Sequence, residues 1–303
     1  MVPHQRNYVG VGYYAEDAVT HFASILDGTA KAYTLGWGEE VDQRIVGMEP
    51  ENLIVLGGEN KAGKTTFAIN TTYHNIKAGH KVLYVTTEIT GKWIAFRLVA
   101  RKLGFSIRQI KEARTALTPE QQADIYQELA RLSKTELVVM DKAHPTAFDI
   151  EDAVQSQRPD IVVVDHFQRL DPNNDAIPVG YREAVQRLKQ MAVTQQIPVL
   201  LLSQVNFRDG WREVDASGDI RYTIQLMGSK WSSELHGEAD KVMYIDNVAR
   251  ALPGYAGVGH LIYHSVRDYE AEGYSILKLD YSRLFVGSEE QYLQELGVPH
   301  ETV

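Results

Sequence analysis

From Leu53 onward, short runs of β-branched and aliphatic residues alternate with longer segments in which apolar positions recur every three or four residues. A mostly parallel sheet covered by helices on both faces produces that alternation, so the fold class is α/β. The predicted strands are Leu53–Leu56, Val82–Thr86, Leu137–Met140, Ile161–Val164, Val199–Leu202, Val242–Ile245, Leu261–His264 and Ile276–Tyr281. The runs IVVV at 161–164 and VLLL at 199–202 are apolar without alternation, which predicts central strands buried on both faces.

Helical periodicity fills the intervals. Ala184, Leu188, Met191 and Ala192 form one apolar stripe, and Ile69, Tyr73 and Ile76 form another that stops at Gly79, a residue suited to the left-handed cap. Residues 105–135 predict two helices broken at Thr118-Pro119, where threonine caps and proline takes the first turn, as an insertion on the rim of the sheet. Ahead of the core, Val19, Phe22, Ala23 and Leu26 make Ala15–Leu26 a single amphipathic helix. Its apolar side either folds back on its own core or docks on a neighbouring subunit.

Composition narrows the class. The 303 residues are 44% hydrophobic and 23% charged, which suits a folded globular chain and disfavours disorder or a coiled coil. The absence of cysteine excludes disulfides, thiolate metal sites and a cysteine nucleophile. No signal-peptide pattern opens the chain and no apolar run is long enough to span a bilayer, so a cytoplasmic protein without membrane contact is expected. A formal net charge of −9 argues against wrapping duplex DNA on an outer face.

The strand-to-helix turn after Leu56 carries the first chemistry. Gly58, Glu59, Asn60, Lys61, Ala62, Gly63, Lys64, Thr65 and Thr66 form a phosphate-loop pattern, G-x4-G-K-T, in the strand-then-helix context that such a loop needs. The two glycines let successive N–H groups face a phosphate, and the helix behind them adds its positive end. Lys64 supplies charge to the β- and γ-phosphates, and Thr65 offers a hydroxyl to Mg²⁺. Two acidic residues follow other predicted strands, Glu88 in VTTE and Asp165 in IVVVD, at the ends where open α/β sheets bind ligands. Asp165 is the candidate metal-linked acid and Glu88 the candidate base for an attacking water, although either could instead cap the helix that follows. Asp141 competes for these roles, with Lys142 beside it as a solvated partner. Gln204, ending VLLLSQ, could sense the γ-phosphate or be a plain amide at the edge of the core.

The phosphate loop, VTTEIT, IVVVDHFQRL, PVLLLSQVN and GSKWSSELHGEADKVMYID together resemble the RecA-like motor of the hexameric replicative DNA helicases of the DnaB type, from about Gly36 to Phe285. The resemblance implies a RecA-like P-loop NTPase core that hydrolyses ATP with Mg²⁺, forms a homo-hexameric ring and translocates on single-stranded DNA in replication. It assigns Lys64 and Thr65 to nucleotide and metal, Glu88 to the base, Asp165 to the metal-linked acid, and Gln204 to a switch between the γ-phosphate and the DNA loops. It also implies that Arg267 is the basic finger lent to the ATP of the adjacent subunit, the bland reading being an exposed strand-end charge. Ser265 stands where the family carries a lysine, and Gln225, Leu226 and Met227 where it carries an arginine before Gly228. The expected division is an arm with a linker-type helix (1–35), the motor (36–288) and a short polar tail (289–303). The family's helical collar is expected to be lacking, with a separate loader or primase as partner, in a bacterial, phage or plasmid system.

In such a ring only the pore need be basic. The segment 206–227 interleaves Arg208, Arg212 and Arg221 with Phe207, Trp211 and Tyr222, a composition suited to phosphate contact and base stacking, and Lys230 is a further candidate. Asp209, Glu213, Asp215 and Asp219 leave the segment slightly negative, which also fits an ordinary solvated loop. A second loop, Arg169 with 171–180, is not basic. The alternatives are a RecA-family DNA-binding filament ATPase and a RecA-like ATPase switch that does not grip DNA.

Overall fold

A computed structural model describes residues 11–172, 177–216, 218–224, 235, 237–250, 252, 254–267 and 272–298. The chain falls into two compact units, Met1–Ala32 and Tyr33–Val303. In the first, helix α1 (Val11–Leu26) starts one turn before the predicted amphipathic segment, and Val19, Phe22 and Leu26 are exposed.

The second unit is built on strands β1 (Leu53–Gly58), β2 (Val82–Thr86), β3 (Leu137–Asp141), β4 (Ile161–Asp165), β5 (Val199–Gln204), β6 (Arg212–Val214), β7 (Ile220–Tyr222), β8 (Lys241–Asp246), β9 (Val258–Val266), β10 (Tyr274–Asp280) and β11 (Phe285–Gly287). Nine of them make one sheet in the order β11-β10-β9-β8-β1-β5-β4-β2-β3, while β6 and β7 form a separate hairpin. From β8 to β3 every pairing is parallel, and β9, β10 and β11 add antiparallel at one edge. Every strand expected from the sequence is present, and β4 and β5 are central and buried throughout except for Gln204, the last residue of β5. The strands that patterning did not single out, β6, β7 and β11, have three residues each, too few for a period to show.

Helices lie on both faces. On one, α2 (Glu39–Ile45), α3 (Lys64–Lys77) and α4 (Gly91–Leu103) supply Val41, Ile45, Phe67, Ile69, Ile94 and Leu98 to a core that includes Ile54, Leu56, Tyr84 and Val163. Trp37 is fully buried there, donates its indole N–H to the Phe67 carbonyl at 3.0 Å and meets the Phe67 ring edge-on, tying the entry segment to the helix that carries the phosphate loop. On the other face, α8 (Ala147–Gln157) and α9 (Ile177–Gln195) pack Ile150, Val154, Leu188 and Met191 on Val55, Val162 and Leu201. The stripe at Ala184, Leu188, Met191 and Ala192 is buried as its spacing predicts.

The rim insertion has three helical pieces, α5 (Ile107–Lys111), α6 (Ala113–Ala116) and α7 (Pro119–Leu132), which enclose a small core of their own with α4. The break falls at Thr118, whose hydroxyl accepts from the Gln121 amide in a capping box. The last segment, expected as a polar tail, contains α10 (Glu289–Glu295). Arg101, almost fully buried, holds it through two 2.7 Å hydrogen bonds to Glu295.

Candidate functional site

Chain order decides what meets at the sheet's C-terminal edge. Strands β4 and β5 insert between β1 and β2, so the phosphate loop after β1, Gln204 on β5, Asp165 on β4 and Glu88 after β2 end side by side. The register pairs Gly58 with Gln204 and Thr86 with Asp165. This is the crevice where open α/β sheets hold ligands.

The loop is shaped from several directions. Gly63 takes φ +100°, open to glycine, and a Cβ there would collide with the Tyr281 ring packed against it. Tyr281 donates to the Ala62 carbonyl at 2.8 Å and receives Asn247 at 3.2 Å, and Arg250 donates to the Asn60 carbonyl at 2.8 Å. Lys64 folds over the loop, its ammonium 2.8 Å from the Gly58 carbonyl and 2.9 Å from that of Glu59. Burial pushes this ammonium down to about 8, against the pull of Asp165, Glu88 and Glu59.

Asp165 is buried behind the loop. Tyr84 donates to it at 2.9 Å, and the Thr65 hydroxyl lies near enough to favour its charged form. Burial raises its pKa, and the Tyr84 hydrogen bond and the nearby Thr65 hydroxyl oppose the rise. Its carbonyl accepts the Thr87 hydroxyl at 3.0 Å, and the Asp165–His166 peptide is cis. Two hard oxygens, the Thr65 hydroxyl and the Asp165 carboxylate, therefore sit together beside a phosphate loop, a donor set that fits Mg²⁺. Glu88, half exposed, has Arg169 at 3.1 Å and His166 Nδ1 at 3.9 Å. Arg169, read from sequence as part of a second loop, is thus a partner of the candidate base. Neither carboxylate is engaged as a helix cap; Asp141 is, accepting the Gly91 amide at the start of α4 at 2.8 Å. Lys142 pairs with Asp149 instead.

The Gln204 side chain is exposed while its backbone is clamped. Gln168 accepts the Gln204 amide at 2.9 Å and donates to the Gln204 carbonyl and the Ser203 hydroxyl, each at 2.8 Å. Tyr84, Tyr281, Arg250 and Gln168 escaped sequence reading because each acts through a contact that only the fold creates. The one available signal was Tyr84, a phenol in the middle of a buried strand, which needs a partner for its hydroxyl.

Arg267 stands elsewhere. It follows β9, beside the start of β8 and hence beside the start of β1, at the sheet edge opposite the phosphate loop. Its guanidinium is 2.9 Å from Asp240 and half exposed.

The segment after β5 corrects part of the expectation. Arg212 does not project for phosphate contact: it makes 2.7 and 2.8 Å hydrogen bonds to the buried carboxylate of Asp246 at the end of β8. Tyr222 donates to the same carboxylate at 2.8 Å and lies 2.7 Å from His260 Nδ1. Phe207 is buried, stacked on Trp211 at 4.0 Å and edge-on to Tyr244. These aromatics cover the sheet edge, where their large apolar area is removed from water, rather than face outward for bases. Arg208 and Arg221 are exposed, Arg221 at 3.9 Å from Asp215. Lys230, and Gln225 to Gly228, lie outside the described residues.

The parallel sheet, the phosphate loop on its middle strand and the polar residues at neighbouring strand tips define a RecA-like P-loop domain. Comparison with known proteins agrees: the model of the DnaB-like helicase C terminal domain matches residues 37–250, and the chain belongs to that family. It is similar to the replicative DNA helicase DnaB of Haemophilus influenzae, 24% identical over 219 residues that cover 68% of this chain and 44% of that protein. The chain thus spans about half the length of the curated relatives it matches. Among solved structures, an isolated ATPase domain superposes with a TM-score of 0.77 at 21% identity, covering 90% of this chain and 98% of that one. A DnaB-like replicative helicase studied with primase gives 0.73 at 20% identity, covering 94% and 68%. At these identities the likeness shows the fold. Among the described residues no helix is long and apolar enough to cross a membrane.

Proposed function

We propose that the chain is the ATP-hydrolysing motor of a replicative DNA helicase, that six copies close into a ring, and that the ring moves on single-stranded DNA. The observation that carries this reading is the separation of Arg267 from Lys64 by the length of β1, six residues or about 20 Å. An arginine at one edge of the sheet and a phosphate loop at the other serve one reaction only if different copies supply them.

In this reading the loop amides and Lys64 hold the triphosphate. Thr65 and Asp165 hold Mg²⁺, which when bound neutralises charge on the β- and γ-phosphates. Glu88 orients the attacking water and takes its proton, a task that a carboxylate off the metal can perform. Arg267 of the next copy meets the charge that develops on the transferring phosphoryl group, an effect worth about 10³–10⁵ in rate. Gln204, with its backbone fixed by Gln168, lies where it can report the γ-phosphate to the segment that begins at Val205. Arg208 and Arg221 are the arginines of that segment left to meet DNA phosphates, with Lys230 as a further candidate. The arm, 1–35, is the proposed linker between copies, and a loader or primase is the proposed partner, in the cytoplasm.

A second reading, an ATPase switch that does not grip DNA, draws on the packing of Phe207, Trp211, Tyr222 and Arg212 into the protein. The ATPase rate with and without single-stranded DNA across a salt series separates the two. Stimulation that fades as salt rises is expected of the motor. No stimulation at low salt transfers the assignment to the switch.

A further inference from the structure

We infer that Asp240 is the positioning residue for Arg267, fixing the guanidinium that one copy offers to the next against the strand that carries its own phosphate loop. The inference rests on the trans role proposed for Arg267. Asp240 is buried and immediately precedes β8. Its Oδ1 is 2.9 Å from Arg267 Nη1, and its Oδ2 accepts Lys189 Nζ and the Leu53 amide, each at 2.7 Å. The backbones are joined as well: the Arg267 amide donates to the Asp240 carbonyl at 2.7 Å, and the Asp240 amide to the Leu53 carbonyl at 2.9 Å.

Two consequences follow from that bonding. A planar guanidinium held by one nitrogen on a buried carboxylate loses much of its rotational freedom, while its other donors stay available to a phosphate. A long arginine side chain that is 52% exposed would otherwise sample many rotamers, and ordering it at the moment of reaction would cost rate. Leu53 is the first residue of β1, whose six residues are all buried and end in the phosphate loop. The finger is therefore referenced to a rigid strand and not to the residues that follow it. Lys189, on α9, balances the second oxygen and leaves Oδ1 for Arg267.

The test uses mixed assemblies of the full chain. Asp240→Asn keeps the shape and removes the charge. Its kcat is expected to fall about 10²-fold, as loss of alignment does, with nucleotide binding by a fluorescent analogue unchanged. Mixed with Lys64→Ala, which has a sound finger and a dead loop, Asp240→Asn should regain activity. Mixed with Arg267→Ala it should not, since neither copy then supplies an aligned finger. Asp240→Glu, which keeps the charge but displaces it by one methylene, should show the same pattern with a smaller loss. Rescue of Asp240→Asn by Arg267→Ala, or wild-type kcat in both Asp240 variants, overturns the inference. So does failure of the Asp240→Asn and Lys64→Ala mixture when the Arg267→Ala and Lys64→Ala mixture is active. If the last mixture is itself inactive at every ratio, the trans role of Arg267 fails, and the inference with it.

Discussion

Lys64 offers a measurement that needs no DNA and no ring. Partial burial pushes its ammonium down to about 8, and the carboxylates of Asp165, Glu88 and Glu59 offset that only in part. Below pH 8 the tip is charged and attracts phosphate, and as pH rises through 8 the free protein loses that charge. Bound phosphates favour the charged form, so the bound state keeps its proton to higher pH. Binding above pH 8 must then take up a proton, and affinity falls up to tenfold per pH unit, about 1.4 kcal/mol. Between pH 7 and pH 9 the dissociation constant of a non-hydrolysable ATP analogue should rise about tenfold. Fluorescence titration at fixed Mg²⁺ and ionic strength reads this. Lys64→Met, with no titrating tip, should bind more weakly and show no such slope. A wild-type constant that is flat from pH 7 to pH 9, or the same slope in Lys64→Met, would refute the placement of a buried ammonium at the phosphates.

Glu88→Gln keeps the shape and hydrogen-bonding reach of the side chain and removes its basicity. Nucleotide binding should persist while hydrolysis falls about 10²–10⁴-fold in a single-turnover assay, and normal turnover would remove Glu88 from the base role. Trp37→Ala empties a fully buried site and leaves the Phe67 carbonyl without its indole partner. The expected loss is about 3–5 kcal/mol in urea unfolding, and a loss under about 1 kcal/mol would contradict the packing described. Asp246→Ala leaves Arg212 and Tyr222 without their shared buried acceptor. The β6–β7 hairpin should become cleavable in limited proteolysis under conditions where the wild-type hairpin resists, and unchanged resistance would show that the hairpin is held by Phe207 and Trp211 alone.

How much of this was legible in the residues depended on the range of the interaction. Strand patterning found every strand of the parallel sheet because four or more consecutive residues share one environment, and the phosphate loop was readable because its chemistry is local in sequence. Asp165 and Glu88 could be placed because parallel strands all end at one edge. The contacts of Gly63 with Tyr281, of Glu88 with Arg169 and of Arg212 with Asp246 join residues distant along the chain, and no periodicity encodes them.

That limit matters most for charge. A chain with a net charge of −9 can still thread DNA if a few arginines line a pore, and segment 206–227 holds three. The fold withdraws one: Arg212 is spent on Asp246, and Arg221 has Asp215 at 3.9 Å. Of those three, Arg208 and Arg221 are left per copy to meet phosphate. Each phosphate contact contributes about 0.7 to the slope of log affinity against log salt for a single strand. On the proposed reading, whatever grip these two arginines give is shallow per copy and gains strength by repetition around an assembly. On the proposed helicase reading, the charge balance thus points to the same requirement as the distance between Arg267 and Lys64: several copies would be needed to complete the catalytic site and the DNA contact.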